Sequence, residues 1–562
     1  MAKVRASTVC SGREGYTRAS VVIIGAGISG ICMAIDLLRR TKSRDFVIFE
    51  KSSGLGGTWR DNRYPGCCCD GKLTFYSFEQ NPGWTREYAG QEEILDYLLR
   101  VAHKYDLYRY IRFNTSVEKT NWDDKSKTWN TTVQVQGGKD AEFGRTYTIK
   151  SDFLVSAVGQ LNIPRVPNID GLPEFEGKVM HSARWDWTYD LKGKKVAIIG
   201  SGSTSAQITP EVAKVVESLT VFQRTPNWVV PRMNADIPAW RRYIYQYLPI
   251  IREAKRSRMW NFRETTFANV VKPTDETSEQ VKALCLAHMH AQLQDNESLW
   301  QQLTPDYRPG CKRIIVSDDF YPTFLRQNVK LETRPISRVS PTGIVVEGDE
   351  QNFDLIILAT GFKTVDFMYP IEVTGHAGKL GATLWQNGAE ALYGICVESL
   401  PNFAMLYGPN TNLSHNSIIL MIEAQSRYIA ALIKAVSTMR AADAQFSIEP
   451  KAARVKEYNA GLQADLATTA YADPGCNSWY KLDGSGKITN NWSKTVLEYQ
   501  HLVSRVVWAD YQISGSESGT KKACDSVEEL GRAVEEFTIR KALPGLSGYT
   551  IAAALLFLAL RN

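Results

Sequence analysis

Two glycine-rich stretches are spaced and flanked as phosphate cradles. Gly25-Ala-Gly27-Ile-Ser-Gly30 follows a β-branched run from Ala19 to Ile24 and precedes residues at helical spacing from Ile28 to Leu38. Such a loop lets the backbone turn tightly and approach a pyrophosphate, which then sits at the positive end of a helix. A second apolar run ends at Glu50, whose carboxylate can accept hydrogen bonds from ribose hydroxyls. Strand, glycine turn, helix, strand and acid together predict a dinucleotide-binding unit. Downstream, Lys195 to Ile199 enters Gly200-Ser-Gly202, with the small Ser205 at the third glycine position. The strand after it ends at Gln223-Arg224-Thr225, where an NAD site would place an acid. A guanidinium there favours the 2′-phosphate of NADP, which a carboxylate would repel. The plainer reading of Arg224 is a solvated surface residue.

Between the two loops stands Phe175-Glu-Gly177-Lys-Val-Met-His181-Ser-Ala-Arg-Trp185-Asp186, which reads F-x-G-x-x-x-H-x-x-x-W-D. A segment joining two dinucleotide units is where two cofactor sites would be brought together. Taken alone, it reads equally well as an ordinary linker.

The rest of the chain bounds what these residues can serve. Its 562 residues predict roughly two to four domains. With 44% hydrophobic and 22% charged residues it has an ordinary globular composition. A net charge of +6 without a long basic run argues against a nucleic-acid partner. The ten cysteines lack metal-ligand or C-x-x-C spacing, apart from the contiguous Cys67-Cys68-Cys69, so no metal site is expected. The polar N-terminus reads as lacking a secretory signal, which points to a reducing intracellular compartment and free thiols. The uncharged run Ala542 to Leu560 is of borderline length for a membrane span.

Further signatures follow in order. Gly56-Gly57-Thr58-Trp59 through Tyr64-Pro65-Gly66 to Asp70 reads [A/G]-G-x-W-x-x-x-x-[F/Y]-P-[G/M]-x-x-x-D, and Gln223-Arg-Thr-Pro-Asn-Trp228 and Lys312-Arg313 come later. With the 175–186 stretch matching F-x-G-x-x-x-H-x-x-x-W-[P/D], residues 19 to 515 resemble the type I Baeyer–Villiger monooxygenases, flavoproteins that insert oxygen beside a ketone carbonyl.

That resemblance implies an α/β fold with two Rossmann-like domains, for FAD and NADP. The FAD domain is expected at 20–165 and 346–515, and the NADP domain at 166–345 with a helical insertion at about 235–305. A flexible N-terminus (1–19) and a C-terminal extension (516–562) flank them. Gly25, Gly27, Gly30 and Glu50 would hold the ADP part of FAD, and Gly57, Thr58, Trp59 and Asp70 would lie along its flavin side. Gly200, Gly202, Arg224, Thr225 and Lys312 would hold NADPH. Phe175, Gly177, His181, Trp185 and Asp186 would couple the domains. Arg313 matches the active-site arginine and Asp70 the carboxylate that contacts it. Taken alone, Lys312-Arg313 reads as a solvated basic pair and Asp70 as a turn residue.

The implied reaction needs a flavin C4a-peroxide anion to persist in a partly dry site. A guanidinium that keeps its charge when buried suits that task. Asp70 would orient it through a charge-assisted hydrogen bond. The partners are then O2 and a small-molecule ketone, lipophilic or from secondary metabolism. The apolar tail adds the expectation of membrane association, so the chain is expected to be cytoplasmic or tail-anchored with its catalytic part facing the cytosol. Two departures from the family pattern lie by the expected flavin face: Cys67-Cys68, and Gly71-Lys-Leu-Thr where many relatives have a V-P-S-H-like run. A nitrogen- or sulfur-oxygenating flavin monooxygenase is the alternative, although that class usually has Tyr or Phe where Trp185 stands. A disulfide reductase would need a redox cysteine pair that the spacing does not supply. A non-catalytic flavoprotein is the remaining reading.

Overall fold

Two apolar runs buried on both faces organise the molecule. The computed structural model describes residues 16–71, 76–137, 144–515 and 527–531. Its first sheet contains β1 (Arg18–Ile24), β2 (Phe46–Phe49), β3 (Ile111–Arg112), β4 (Thr115–Asp123), β5 (Thr128–Val135) and β6 (Thr146–Ser156), in the spatial order β4-β5-β6-β1-β2-β3. β1 is central and pairs in parallel with β2 and β6. Val22 and Ile23 are therefore fully buried, as expected for a parallel strand covered on both faces.

The second sheet is wholly parallel. It contains β7 (Lys178–His181), β8 (Lys195–Ile199), β9 (Ser218–Phe222), β10 (Val329–Glu332) and β11 (Leu355–Leu358), in the order β10-β9-β8-β11-β7. The chain then returns to the first sheet, adding β12 (Glu372–Thr374) beside β4 and β13 (Phe403–Met405) beside β6. The return thus falls after Leu358 rather than at 346. The stretch Leu355–Leu358 is a fully apolar strand filling the gap between β7 and β8, and that burial holds it in the second sheet.

Two crossovers join the sheets and pair with each other. Pro164 and Phe362 form an antiparallel bridge, flanked by Arg165 N to Gly361 O at 2.9 Å and Lys363 N to Ile163 O at 2.9 Å. The stretch around Gly177 is accordingly more than a linker, since β7 is an edge strand of the second sheet.

Helices set the remaining positions. α1 (Ile28–Asp36) follows the first glycine loop, and α2 (Ser203–Val212) follows the second. Between β9 and β10 the chain forms α3 (Ala239–Tyr247), α4 (Pro249–Val270), α5 (Asp275–Leu293) and α6 (Glu297–Leu303). α7 (Ile418–Arg440) is buried from Ile419 to Ile433 and packs on α1.

Two further expectations change. Arg18 and Ala19 already pair with β6, so the sheet begins inside the segment expected to be flexible. Cys311 and Cys476 form a disulfide with Cα atoms 6.4 Å apart, correcting the expectation of free thiols at that pair. A sequence separation of 165 residues hides such a pairing from any reading of local spacing. The apolar run Ala542 to Leu560 lies outside the described residues. Among the described residues, no helix is long and apolar enough to cross a membrane.

Candidate active site between the two nucleotide loops

At the first loop, Gly25 has φ +103°, and a Cβ there would stand 2.7 Å from the Ala157 carbonyl oxygen. Glycine is required by both conformation and space. A Cβ on Gly30 would overlap the Gly25 carbonyl, so α1 packs directly on the loop. Gly27 opens α1 with no side-chain cap among the described residues, which leaves the first-turn N–H groups for an anion. A Cβ on Gly27 would touch Gly57 at 3.6 Å, so this loop abuts the stretch containing Gly57, Thr58 and Trp59. Glu50 ends β2, and its carboxylate accepts from Ala26 N at 2.9 Å and Ser52 N at 2.8 Å. Burial raises its pKa, opposed by those two donors.

The second loop repeats the design. Gly200 has φ +118°, and a Cβ would stand 2.5 Å from Ala359 O. Gly202 opens α2 without a side-chain cap and faces open space. The Thr225 carbonyl accepts from Ser201 Oγ at 2.8 Å, tying the Arg224 turn to this loop. Lys312 lies with its ammonium 4.4 Å from the centre of the Tyr307 ring. Burial, followed by the Arg224 charge, lowers the Lys312 pKa to about 8. Two cations close enough to oppose each other's charge fit a phosphate that satisfies both. The uncapped helix starts and this cation pair suit one dinucleotide at each loop.

Gln207 spans the two halves. Gln207 on α2 donates to Asp70 Oδ1 at 2.8 Å and to Cys68 O at 3.2 Å, and accepts from Tyr64 OH at 2.9 Å and Cys68 N at 3.3 Å. Desolvation raises the Asp70 pKa, while Arg313, Arg232, Ser203 and Gln207 pull it down. Arg313 Nη1 donates to Ser414 O at 3.3 Å. No ion pair closes between Arg313 and Asp70 among the described residues, so the expected direct contact is corrected to one of charge at a distance. Asp70 is held instead by Gln207, which reaches it from the opposite sheet. Cys67 and Cys68 are thiols with pKa values raised by burial to about 12, and Cys68 Sγ accepts from Arg232 at 3.1 Å.

The 175–186 stretch touches both crossovers and the segment around Arg63 and Tyr64. His181 Nδ1 accepts from Ala183 N at 3.1 Å, so its proton lies on Nε2, which donates to Gly361 O at 3.0 Å. Burial lowers the His181 pKa and keeps this neutral tautomer. Gly361 O also accepts from Arg165 N, and His181 meets Phe362 edge-on with ring centres 5.7 Å apart. Gly177 has no room for a side chain, with the Phe175 ring 2.6 Å from a would-be Cβ. Trp185 is buried in one cluster with Tyr64, and the adjacent Trp187 donates to Arg63 O at 2.9 Å. Asp186 pairs with Lys178 at 2.8 Å and accepts from Thr188, and these bonds lower its pKa to about 2.

Against this geometry stand the comparisons with known proteins. The family described as "FMO-like: Flavin-binding monooxygenase-like" matches residues 18–473. A Streptomyces coelicolor protein named Baeyer-Villiger monooxygenase is 38% identical, over 88% of this chain and 92% of its own. The chain belongs to the Baeyer–Villiger group of flavin-binding monooxygenases. The FAD-binding monooxygenase ktnD of Aspergillus niger is 49% identical, over 93% of this monooxygenase and 86% of that protein. Among solved structures, cyclohexanone monooxygenase from Rhodococcus sp. Phi1 bound to NADP+ is similar at TM-score 0.76 and 25% identity, covering 89% of this chain and 99% of that one.

Three residues of this monooxygenase's site escape the sequence reading. Gln207 stands one helical turn after Ser203, and both reach Asp70, so their four-residue spacing behind the second loop is a usable signal. His415 carries no motif around it, yet it is buried with neither ring nitrogen hydrogen-bonded and Nε2 3.9 Å from Glu264 Oε1. Arg263 lies in the insertion, where nothing in the local pattern distinguishes it from its solvated neighbours.

Proposed function

We propose that this monooxygenase converts a ketone to the corresponding ester or lactone, consuming NADPH and O2 and releasing NADP+ and water. One observation carries the reading. Arg313 acts by charge on Asp70, which Gln207 of the helix after the second loop holds, and no carboxylate is bonded to Arg313 among the described residues. Its guanidinium is therefore available to a developing oxyanion.

FAD, when bound, accepts hydride from NADPH and activates oxygen; the chain's own residues supply position and charge. The first-turn N–H groups of α1 would bind the FAD pyrophosphate, and Glu50 would accept from its ribose. Arg224 and Lys312 would hold the NADPH 2′-phosphate. Arg313 would stabilise negative charge beside the carbonyl, with Ser414 O fixing one of its donors. Asp70 acts at a distance, offsetting part of the site's positive charge while Gln207 sets its orientation. His181, bound to Gly361 O, would tie movement of the second sheet to the crossovers. Tyr407, Tyr471 and Tyr480 are buried and within reach of the Arg313 charge, an apolar lining that would limit water there.

The test is turnover of a ketone panel with NADPH under isotopically labelled oxygen. Ester or lactone with one labelled atom per product is expected. An amine oxide or sulfoxide from amine or sulfide substrates, without ester from any ketone, would refute the assignment.

A further inference from the structure

The insertion helix α4 brings a second guanidinium to the site. Glu264 accepts from Asn416 Nδ2 at 2.7 Å and from Val496 N at 3.3 Å. Phe267 meets the His415 ring edge-on, with ring centres 5.2 Å apart. Both contacts dock α4 on the loop whose Ser414 carbonyl receives Arg313. Arg263, on the same turn, then lies over Gly71, where an added Cβ would stand 2.7 Å from Nη2 and 2.8 Å from Nη1. Gly71 departs from the run common in relatives, and its missing side chain is the space the guanidinium uses.

Nothing described in the chain neutralises Arg263. The groups that favour its charge are Cys69 and Tyr88, and burial raises the pKa of both, so each stays neutral. Arg313 opposes it as a like charge. Arg232, the other arginine near Asp70, has its own partner in Asp319 at 3.1 Å. Glu264 is already committed, and the sequence has no carboxylate between Asp70 and Glu79. An unpaired, partly buried guanidinium is costly unless a ligand supplies the counter-charge. Independently, His415 is 8% exposed with both ring nitrogens lacking a hydrogen-bond partner, Glu264 Oε1 standing 3.9 Å from Nε2, beyond hydrogen-bond reach. Burial, then Arg313 and Arg263, hold it neutral, leaving one N–H donor and one acceptor for a ligand.

Building on the assignment of Arg313 to ketone oxidation, we propose that Arg263 is a specificity-determining residue that selects ketones bearing an ionised carboxylate. The carbonyl faces Arg313, the carboxylate pairs with Arg263, and the His415 ring bonds polar groups between them.

The test is equilibrium binding to the FAD-loaded, oxidised, NADP+-saturated full chain, followed by the flavin absorbance change. The probes are 4-oxocyclohexanecarboxylate and its methyl ester. Wild type should bind the carboxylate at least about tenfold more tightly than the ester, as a charge-assisted pair predicts. Arg263→Gln should bring the two affinities within about twofold, and Arg263→Lys should restore part of the preference. Gly71→Ala, which displaces the guanidinium without removing it, should also shrink the ratio and serves if Arg263→Gln fails to load FAD. Equal affinities in wild type, or an unchanged ratio in the variants, would overturn the proposal. So would a loss of NADP+ affinity in Arg263→Gln with the ratio retained, since the residue would then serve the cofactor. No oxygenation occurs in this experiment, so failure of ketone oxidation registers only in the labelled-oxygen assay.

Discussion

Replacing Arg313 with alanine should separate NADPH consumption from product formation. Hydride delivery uses the nucleotide loops, so NADPH oxidation should persist, while ester yield falls by about a hundredfold or more, the scale for a lost oxyanion donor. Stopped-flow reduction and product analysis read the two halves, and wild-type ester yield would contradict the role. Lys312 gives the site a pH dependence. Its pKa in the folded chain is lowered to about 8, so it is charged below that pH and neutral above it. The KM for NADPH should therefore rise about fivefold or more between pH 7 and 9.5, and Lys312→Arg should flatten the rise, because arginine stays charged throughout. A flat wild-type profile would remove Lys312 from the phosphate site. Arg224, Lys312 and Arg313 are legible in the sequence because each follows or joins a recognisable motif. His415 and Arg263 are not, because their meaning depends on what lies across the fold from them.

The proposed coupling belongs to the scale of elements. The stretch around His181 is legible as a junction from its place between two glycine loops, but its form is not. Four residues with no strand alternation become the edge of a parallel sheet because β11 offers an open side. From that edge, His181 reaches the paired crossovers, and Arg63 O receives Trp187 from the other direction. His181→Ala should slow flavin reduction by NADPH and ester formation together, by about tenfold each. Normal rates in both phases would reduce the stretch to a structural strand. The chain stays in the second unit past residue 346 for a related reason. The short strands at 336–339 and 343–346 pack on Phe175 and Phe222, and 349–352 pairs with the second of them, a tertiary preference that no local pattern announces.

At the scale of the whole molecule, the two-sheet plan is legible because each glycine loop predicts its own strand, helix and strand. The long-range tie between Cys311 and Cys476 is not. It joins the segment bearing Lys312-Arg313 to the loop leading into Tyr480, and it encloses most of the second half of the chain. Closing a loop of 165 residues removes about 5 kcal/mol of chain entropy from the unfolded state. Backbone cleavage inside that loop has a distinctive outcome. A tryptic nick after the exposed Lys379 would produce two fragments that migrate as one species without reductant and part when it is added. The nicked protein should keep its bound flavin until then, its covalent continuity resting on sulfur instead of the peptide bond.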